Sequence, residues 1–339
     1  MNLRAGVIGL GTMGRHHARS YQEIDGVDLV AVCDIDERAV QAAAERHGLG
    51  AGATFLDAER MLRETRLDLV SVATPDHLHV APVIQAAEAG VHVLVEKPLA
   101  TSLDDCDRVL EAVERAGVIA MVHFTHRRAL PYLYAKERLA KDDFGPVSMV
   151  YARKNDTWSV VERWPWLADA SSAAYLSSHD LDLVCWWLDT TVEDVFARGV
   201  RGRLAERGHA TYDAIQASVR FATGAIGTFE SCWVHPNAHP TPTDSYIALV
   251  SAGARLTLDR SLEIVTVGTD HGYEHPKLTL NLELEGRLTG GFVETVRHFV
   301  DCVARRQPPS ITMASSRHVA AVVDAIARSL ASGQPERPR

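Results

Sequence analysis

This sequence predicts an α/β fold: an N-terminal domain on a parallel, helix-covered sheet, followed by an α+β domain on a mostly antiparallel sheet. Three observations predict it. Short Val, Ile, Leu and Ala runs alternate with helical periodicity up to about residue 125. The string Gly9-Leu10-Gly11-Thr12-Met13-Gly14 stands directly between the first apolar run and the first helical stretch. Later segments alternate in polarity and are joined by Gly-containing turns such as Ala222-Thr223-Gly224. With 339 residues, 46% of them hydrophobic, the chain can bury a large core and is long enough for roughly two domains of about 150 residues each.

In chain order, Arg4 to Ile8, Leu29 to Cys33, Leu69 to Ala73, Val91 to Val95 and Val118 to Val122 read as strands. Their near-continuous apolar character suits strands covered on both faces. The helical stretches Met13 to Tyr21, Glu37 to His47, His79 to Ala89 and Leu103 to Arg115 supply the crossovers. Further on, Pro146 to Arg153, Val192 to Arg201, Ile215 to Phe221, Ala225 to Val234, Ser245 to Val250 and Arg255 to Leu258 are strand-like. The helices there are Pro131 to Lys141, His179 to Leu188, Gly290 to Arg305 and Ser315 to Ser332. The expected division is residues 1–124 and 125–339.

The formal charge of −9, from 35 basic and 44 acidic residues, comes with no long basic block, which argues against a nucleic-acid face or an anionic-membrane patch. No stretch approaches the ~20 apolar residues of a membrane span. The apolar part of MNLRAGVIGLG is too short for a signal peptide. A cytoplasmic protein with small-molecule partners is therefore expected. Cys33, Cys106, Cys185, Cys232 and Cys302 are scattered and lack C-x-x-C spacing, so neither disulfides nor a structural zinc site is signalled.

The glycines of G-x-G-x-x-G allow a tight turn, close approach of backbone to a pyrophosphate and close helix-to-strand packing, while the helix N-terminus offers unpaired N–H groups to the anion. The second strand ends in Cys33-Asp34, where a carboxylate accepts hydrogen bonds from an adenosine ribose and repels a 2′-phosphate. Ile35 adds no positive charge. NAD is expected rather than NADP. Arg15, just inside the helix, is within reach of a phosphate.

Ala73-Thr74-Pro75-Asp76-His77-Leu78-His79 and Glu96-Lys97-Pro98 follow two later strands of the same sheet, at the carboxyl ends where open parallel sheets bind ligands. The order G-x-G-x-x-G, C-D, A-T-P-x-x-x-H, E-K-P and then H-x-x-D resembles the Gfo/Idh/MocA family, which includes glucose-fructose oxidoreductase and inositol dehydrogenase. The resemblance covers nearly the whole chain, and E-K-P is its most specific element. It implies a Rossmann domain over residues 1–124 and an open α+β domain over 125–339 that binds substrate and carries the oligomer contact. A sugar or cyclitol is then held between the domains over the nicotinamide, in a homodimer or homotetramer formed through the C-terminal sheet. Cofactor contacts are expected from Gly9, Gly11, Thr12, Met13, Gly14, Asp34, Thr74, Pro75, His79, Glu96, Lys97 and Arg127.

In the resembled family the lysine of E-K-P is catalytic, and this position is Lys97. Taking a hydride from a carbinol carbon leaves a hydroxyl proton to be accepted, and the reverse step returns it. A lone lysine at a strand end is ordinarily a solvated charge; its place in E-K-P argues otherwise. Pro98 fixes the turn, and a cis bond before it is compatible with the sequence. A second catalytic element, an aspartate four residues before a histidine, is expected in the substrate domain. Here Tyr175-Leu176-Ser177-Ser178-His179-Asp180-Leu181-Asp182 keeps His179 and Asp182 but has Tyr175 at the aspartate position. His179 suits proton transfer near neutrality. Tyr175 can donate a hydrogen bond but supplies no carboxylate charge.

Weaker substrate candidates are Asp156, equally an ordinary loop acid, and Trp166, grouped with Trp158 and Trp164, which core packing or a subunit contact explains at least as well. Arg127, Arg128 and Tyr132 are equally compatible with surface salt bridges or packing. His235, His239 and Asp244 have histidines at a four-residue spacing, which serves a metal on a helix. Pro236 and Pro240 forbid a helix there, and no metal is expected. The leading expectation is an NAD-dependent sugar or cyclitol dehydrogenase using Lys97 and His179 as acid and base. The alternatives are a redox-assisted glycosidase using the same cofactor, an imine-reducing or deaminating enzyme, and a non-catalytic nucleotide-binding scaffold.

Overall fold

A computed structural model of the chain describes residues 2–141, 143–163, 170–260, 265, 267–269, 272–274 and 278–339. The first part runs β1 (Leu3–Ile8), α1 (Thr12–Glu23), β2 (Val27–Cys33), α2 (Glu37–His47), β3 (Thr54–Phe55), α3 (Ala58–Glu64), β4 (Leu69–Val72), α4 (Val80–Glu88), β5 (His92–Val95), α5 (Leu103–Ala116) and β6 (Ala120–Val122). After α6 (Leu130–Leu139) come β7 (Val147–Thr157), α7 (Trp158–Arg163), α8 (Ser178–Leu188), β8 (Val192–Val200), α9 (Arg203–Glu206), β9 (Ala214–Phe221), β10 (Ile226–His235), β11 (Thr243–Ser251) and β12 (Arg255–Asp259). Helices α10 (Gly291–Arg305) and α11 (Met313–Ser332) follow.

The chain forms two compact units, Met1–Ala129 with Leu280–Arg317, and Leu130–Thr279 with His318–Arg339. In the first, six strands in the order β3-β2-β1-β4-β5-β6 pair in parallel throughout. That order reverses direction between β1 and β4, the switch point at which doubly wound sheets open a crevice beyond their strand ends. Apart from Ser71 the sheet interior is apolar: Val7, Val70, Val72, Val93, Leu94 and Val95 are all 0% exposed. Each such side chain contributes about 1.5–3 kcal/mol by leaving water. Helix ends obey local chemistry. Ser102 caps α5 through the Asp105 N–H at 3.2 Å, and Gly117 closes it at φ +64°, a left-handed conformation that glycine adopts without strain.

Helix α10 belongs to this first unit, so the residues after 124 divide between the units. Its amphipathic stripe of Phe292, Val296, Phe299, Val300 and Val303 is buried. At its start the chain approaches so closely that a Cβ on Gly291 would lie 2.5 Å from the Thr125 carbonyl oxygen.

The second unit holds a six-stranded sheet in the order β12-β11-β7-β10-β9-β8. It is antiparallel except for the β7–β10 pair, which is parallel. Alternation in β9 buries Ile215, Ala217, Val219 and Phe221 and exposes Gln216, Ser218 and Arg220. The buried side carries Lys154 of β7, whose ammonium donates to the Asp180 carboxylate of α8 at 2.6 Å. Among the described residues no helix is long and apolar enough to cross a membrane.

Candidate active site

In the first unit the turn after β1 gives each glycine of the motif a separate task. Gly9 has φ +88°, and a Cβ there would lie 2.6 Å from the Ala73 carbonyl carbon, so only glycine fits between β1 and β4. A Cβ on Gly14 would lie 1.7 Å from the Gly9 oxygen, so that glycine lets α1 approach its own strand. At Gly11 a Cβ meets nothing within 4 Å, leaving open space over the backbone. Helix α1 has no side-chain cap and no acidic residue in its first turn, and Thr12 and Met13 are exposed. Its first N–H groups and dipole are therefore presented to an anion.

Asp34 at the end of β2 accepts from the Leu10 N–H at 2.6 Å and from the Asp36 N–H at 2.9 Å. It braces the glycine turn, and each carboxylate oxygen keeps lone pairs for further donors. Thr74, just past β4, has its hydroxyl enclosed with no hydrogen-bond partner, a polar atom that a ligand group can satisfy. Pro75 beside it is exposed. His79 is buried with Nδ1 2.8 Å from the Pro98 carbonyl and Nε2 3.0 Å from the Thr74 carbonyl. Its imidazole thus fastens the Thr74 loop to the Lys97-Pro98 turn, and burial pushes its pKa down against the pull of both carbonyls. A nicotinamide dinucleotide fits these features: open backbone at Gly11, an uncapped helix end, a carboxylate after β2 and an unsatisfied hydroxyl after β4.

Lys97 stands two residues past the end of β5, is partly exposed, and is joined to Pro98 by a cis bond. Its N–H donates to Glu96 Oε2 at 3.2 Å. The other carboxylate oxygen of Glu96 lies 3.0 Å from His17 Nε2 and 2.8 Å from His123 Nδ1. His17 extends this chain through Ser71, 3.1 Å from Nδ1, to the Tyr21 hydroxyl, 2.7 Å from Ser71. Burial favours the neutral acid at Glu96, but the two imidazoles outweigh it and hold the carboxyl well below the usual range. Burial and His123 together lower His17 to about 4, against the pull of Glu96. Glu96 therefore spends its side chain inside the unit, holding the backbone from which Lys97 projects. Arg127 is likewise buried, donating to the Ser310 carbonyl at 3.1 Å.

In the second unit Tyr175 sits on a single π-helical turn, Ala173–Ser177, immediately before α8. Such turns insert one residue into the helical register and concentrate at functional sites. The Tyr175 ring packs 5.4 Å from that of Trp233, beside Trp158, Leu176 and Leu204. His179 is half-buried in the first turn of α8, and Asp182 is 0% exposed. Between them, Asp180 is paired with Lys154. Burial raises the pKa of Asp180 and lowers that of Lys154, and their mutual attraction opposes both shifts. Asp156 accepts from the Thr243 hydroxyl at 2.6 Å. Trp164 and Trp166 lie outside the described residues. The structure thus gathers Gly9, Gly11, Gly14, Asp34, Thr74, His79, Glu96 and Lys97 at the carboxyl end of the sheet in the first unit, and Tyr175, His179 and Asp182 on one stretch of the second. Sequence reasoning missed His17, His123 and Lys154, the partners of the two carboxylates next to Lys97 and His179.

Comparison with known proteins agrees with the fold. Residues 3–124 match the family described as "Oxidoreductase family, NAD-binding Rossmann fold", and residues 132–256 match its "GFO/IDH/MocA C-terminal domain". The chain is 27% identical over 315 residues to a myo-inositol 2-dehydrogenase of Thermotoga maritima, covering 91% of each chain. It is 26% identical over 315 residues to a scyllo-inositol 2-dehydrogenase (NAD(+)) of Bacillus subtilis, covering 91% of this chain and 89% of that one. The crystal structure of a myo-inositol 2-dehydrogenase from Lactobacillus plantarum has the same fold, with a TM-score of 0.88 at 23% identity over 100% of both chains.

Proposed function

Because this chain belongs to the Gfo/Idh/MocA oxidoreductase family, we propose that it is an NAD-dependent dehydrogenase acting on one secondary hydroxyl of a cyclitol, sugar or sugar derivative. The observation that carries this reading is the set of features around Lys97: the open glycine turn, the unsatisfied Thr74 hydroxyl and the E-K-P turn all stand at the carboxyl ends of adjacent strands. Full-length similarity to two inositol 2-dehydrogenases supports the cyclitol class.

Gly9, Gly11, Thr12, Met13 and Gly14 cradle the pyrophosphate, Asp34 accepts from the adenosine ribose, and Thr74 and Pro75 line the crevice after β4. Asp34 and the uncharged Ile35 favour NAD over its 2′-phosphorylated form. When bound, NAD supplies the hydride acceptor. Lys97 accepts the hydroxyl proton as the hydride leaves the carbinol carbon, and returns it in the reverse direction. His179 is the partner acid and base, Tyr175 donates a hydrogen bond to the substrate, and Asp156 contacts a further hydroxyl. The second sheet associates with another copy of the chain, giving a dimer or tetramer.

The test is a panel of inositols, aldoses, uronates and glycosides assayed for NADH formation. NADH accumulating with one cyclitol or sugar and not with NADP in place of NAD supports the reading. Cleavage of a glycoside without NADH accumulation points instead to the redox-assisted glycosidase. No turnover with any polyol contradicts the proposal.

A further inference from the structure

We propose that His235, His239 and Asp244 form a binding site for a divalent transition-metal ion of the zinc class, in the second unit and independent of the dinucleotide. The two flanking strands of β7 supply its ends. His235 closes β10 opposite Thr157, and Asp244 lies near the start of β11 opposite Asn155, so the two flank β7 on either side, two register positions apart. The proline-rich connection then folds back. His239 donates its backbone N–H to the Pro236 carbonyl at 2.9 Å, and its ring centroid comes to 5.5 Å from that of His235. One ligand atom from each of the three side chains lies within 4.8 Å of the others. The spacing argument against a metal assumed a helix; here strand pairing and a turn supply the proximity.

The surroundings are those of a ligand set. His239 Nδ1 lies 2.9 Å from the Thr241 carbonyl and 3.3 Å from the Thr241 backbone nitrogen, so the Thr241 backbone holds the ring by Nδ1, and Nε2 is the nitrogen left for an ion. Asp244 is held in a fork by Arg153, Nε to Oδ2 at 2.6 Å and Nη2 to Oδ1 at 3.1 Å, and Arg153 itself lies 4.8 Å over the Tyr246 ring. Each Asp244 oxygen keeps a lone pair, and the fork orients it as carboxylates are oriented in metal sites. Both imidazoles are half-buried, so an ion can reach them. Next to Asp244 in register, the Asn155 Oδ1 is enclosed without a partner, its amide nitrogen being committed to Glu230 at 2.8 Å. A water on a bound ion satisfies such an acceptor.

Two imidazoles and one carboxylate suit Zn²⁺, Co²⁺ or Ni²⁺ rather than Mg²⁺ or Ca²⁺. Tetrahedral bonds of about 2.0–2.2 Å place ligand atoms roughly 3.4 Å apart, so binding closes the cluster by at most about 1.4 Å. The Arg153 charge opposes the ion and is offset by Asp244 and Glu230.

The experiment uses full-length, tag-free protein stripped with chelator, titrated with Zn²⁺ by calorimetry and with Co²⁺ by visible absorption. The wild type takes up one equivalent with a tetrahedral Co²⁺ spectrum. The His235→Ala/His239→Ala variant, with unchanged circular dichroism and melting temperature, binds at least about tenfold more weakly and loses the spectrum. Undetectable Zn²⁺ uptake by the wild type, or equal uptake by the double variant, overturns the proposal.

Discussion

Replacing His17 by glutamine makes the stability of the first unit less sensitive to acid, and the size of the effect follows from the buried Glu96 cluster. Folding moves His17 from 6.5 to about 4. The unfolded chain then binds the proton more tightly, so the stability linked to His17 is complete above about pH 6.5 and is lost as pH falls toward 4. Between pH 7.5 and pH 5 the loss is about 2 kcal/mol, from roughly 1.4 kcal/mol per pH unit over the part of the window traversed. His17→Gln keeps an N–H for Glu96 and does not titrate. Denaturant unfolding of wild type and variant at both pH values is the assay. The wild type should lose about 2 kcal/mol more than the variant on acidification, equivalent to a roughly 4–8 °C larger fall in the melting temperature of that unit. Histidines that His17 does not touch, such as His298 with a pKa near 4, titrate alike in both proteins and cancel in the difference. Equal acid sensitivity in the two proteins would refute the placement of a neutral His17 against Glu96.

Two further outcomes follow from the packing. Gly14→Ala sets a Cβ 1.7 Å from the Gly9 oxygen, so the start of α1 must shift; NAD affinity measured by fluorescence quenching should fall more than tenfold, and unchanged affinity would count against the glycine turn as the phosphate site. Lys154→Met strands Asp180 in the core and should cost about 3–5 kcal/mol in denaturant unfolding, whereas Lys154→Met with Asp180→Leu should recover most of that loss; a double variant no more stable than the single one would argue against the pair.

The first sheet was legible because its strands are near-continuous apolar runs and its helices are strongly amphipathic; the ends of α2 coincide with Glu37 and His47 as read from sequence. The short pieces were not. β3 is two residues long, and α3 is one seven-residue helix capped by Asp57; neither generates a measurable period. The family motifs identified Lys97 and His179, but not what holds them. Glu96 draws on His17 and His123, 79 and 27 residues away, and Asp180 on Lys154, 26 residues away. Nothing local to any of these side chains announces its partner. The membership of α10 in the first unit has the same origin: its apolar stripe specifies burial but not the surface that buries it. Tyr175 was read as a departure from the family's aspartate, and only the backbone reveals that it stands on a π-helical turn.

The central claim is that Lys97 moves the proton of the reacting hydroxyl. Lys97→Ala, assayed by single-turnover hydride transfer on the polyol that the panel identifies and by NAD binding at equilibrium, tests it most directly. The account predicts a rate lower by about 10²–10⁴-fold with NAD affinity unchanged. A rate close to that of the wild type contradicts it.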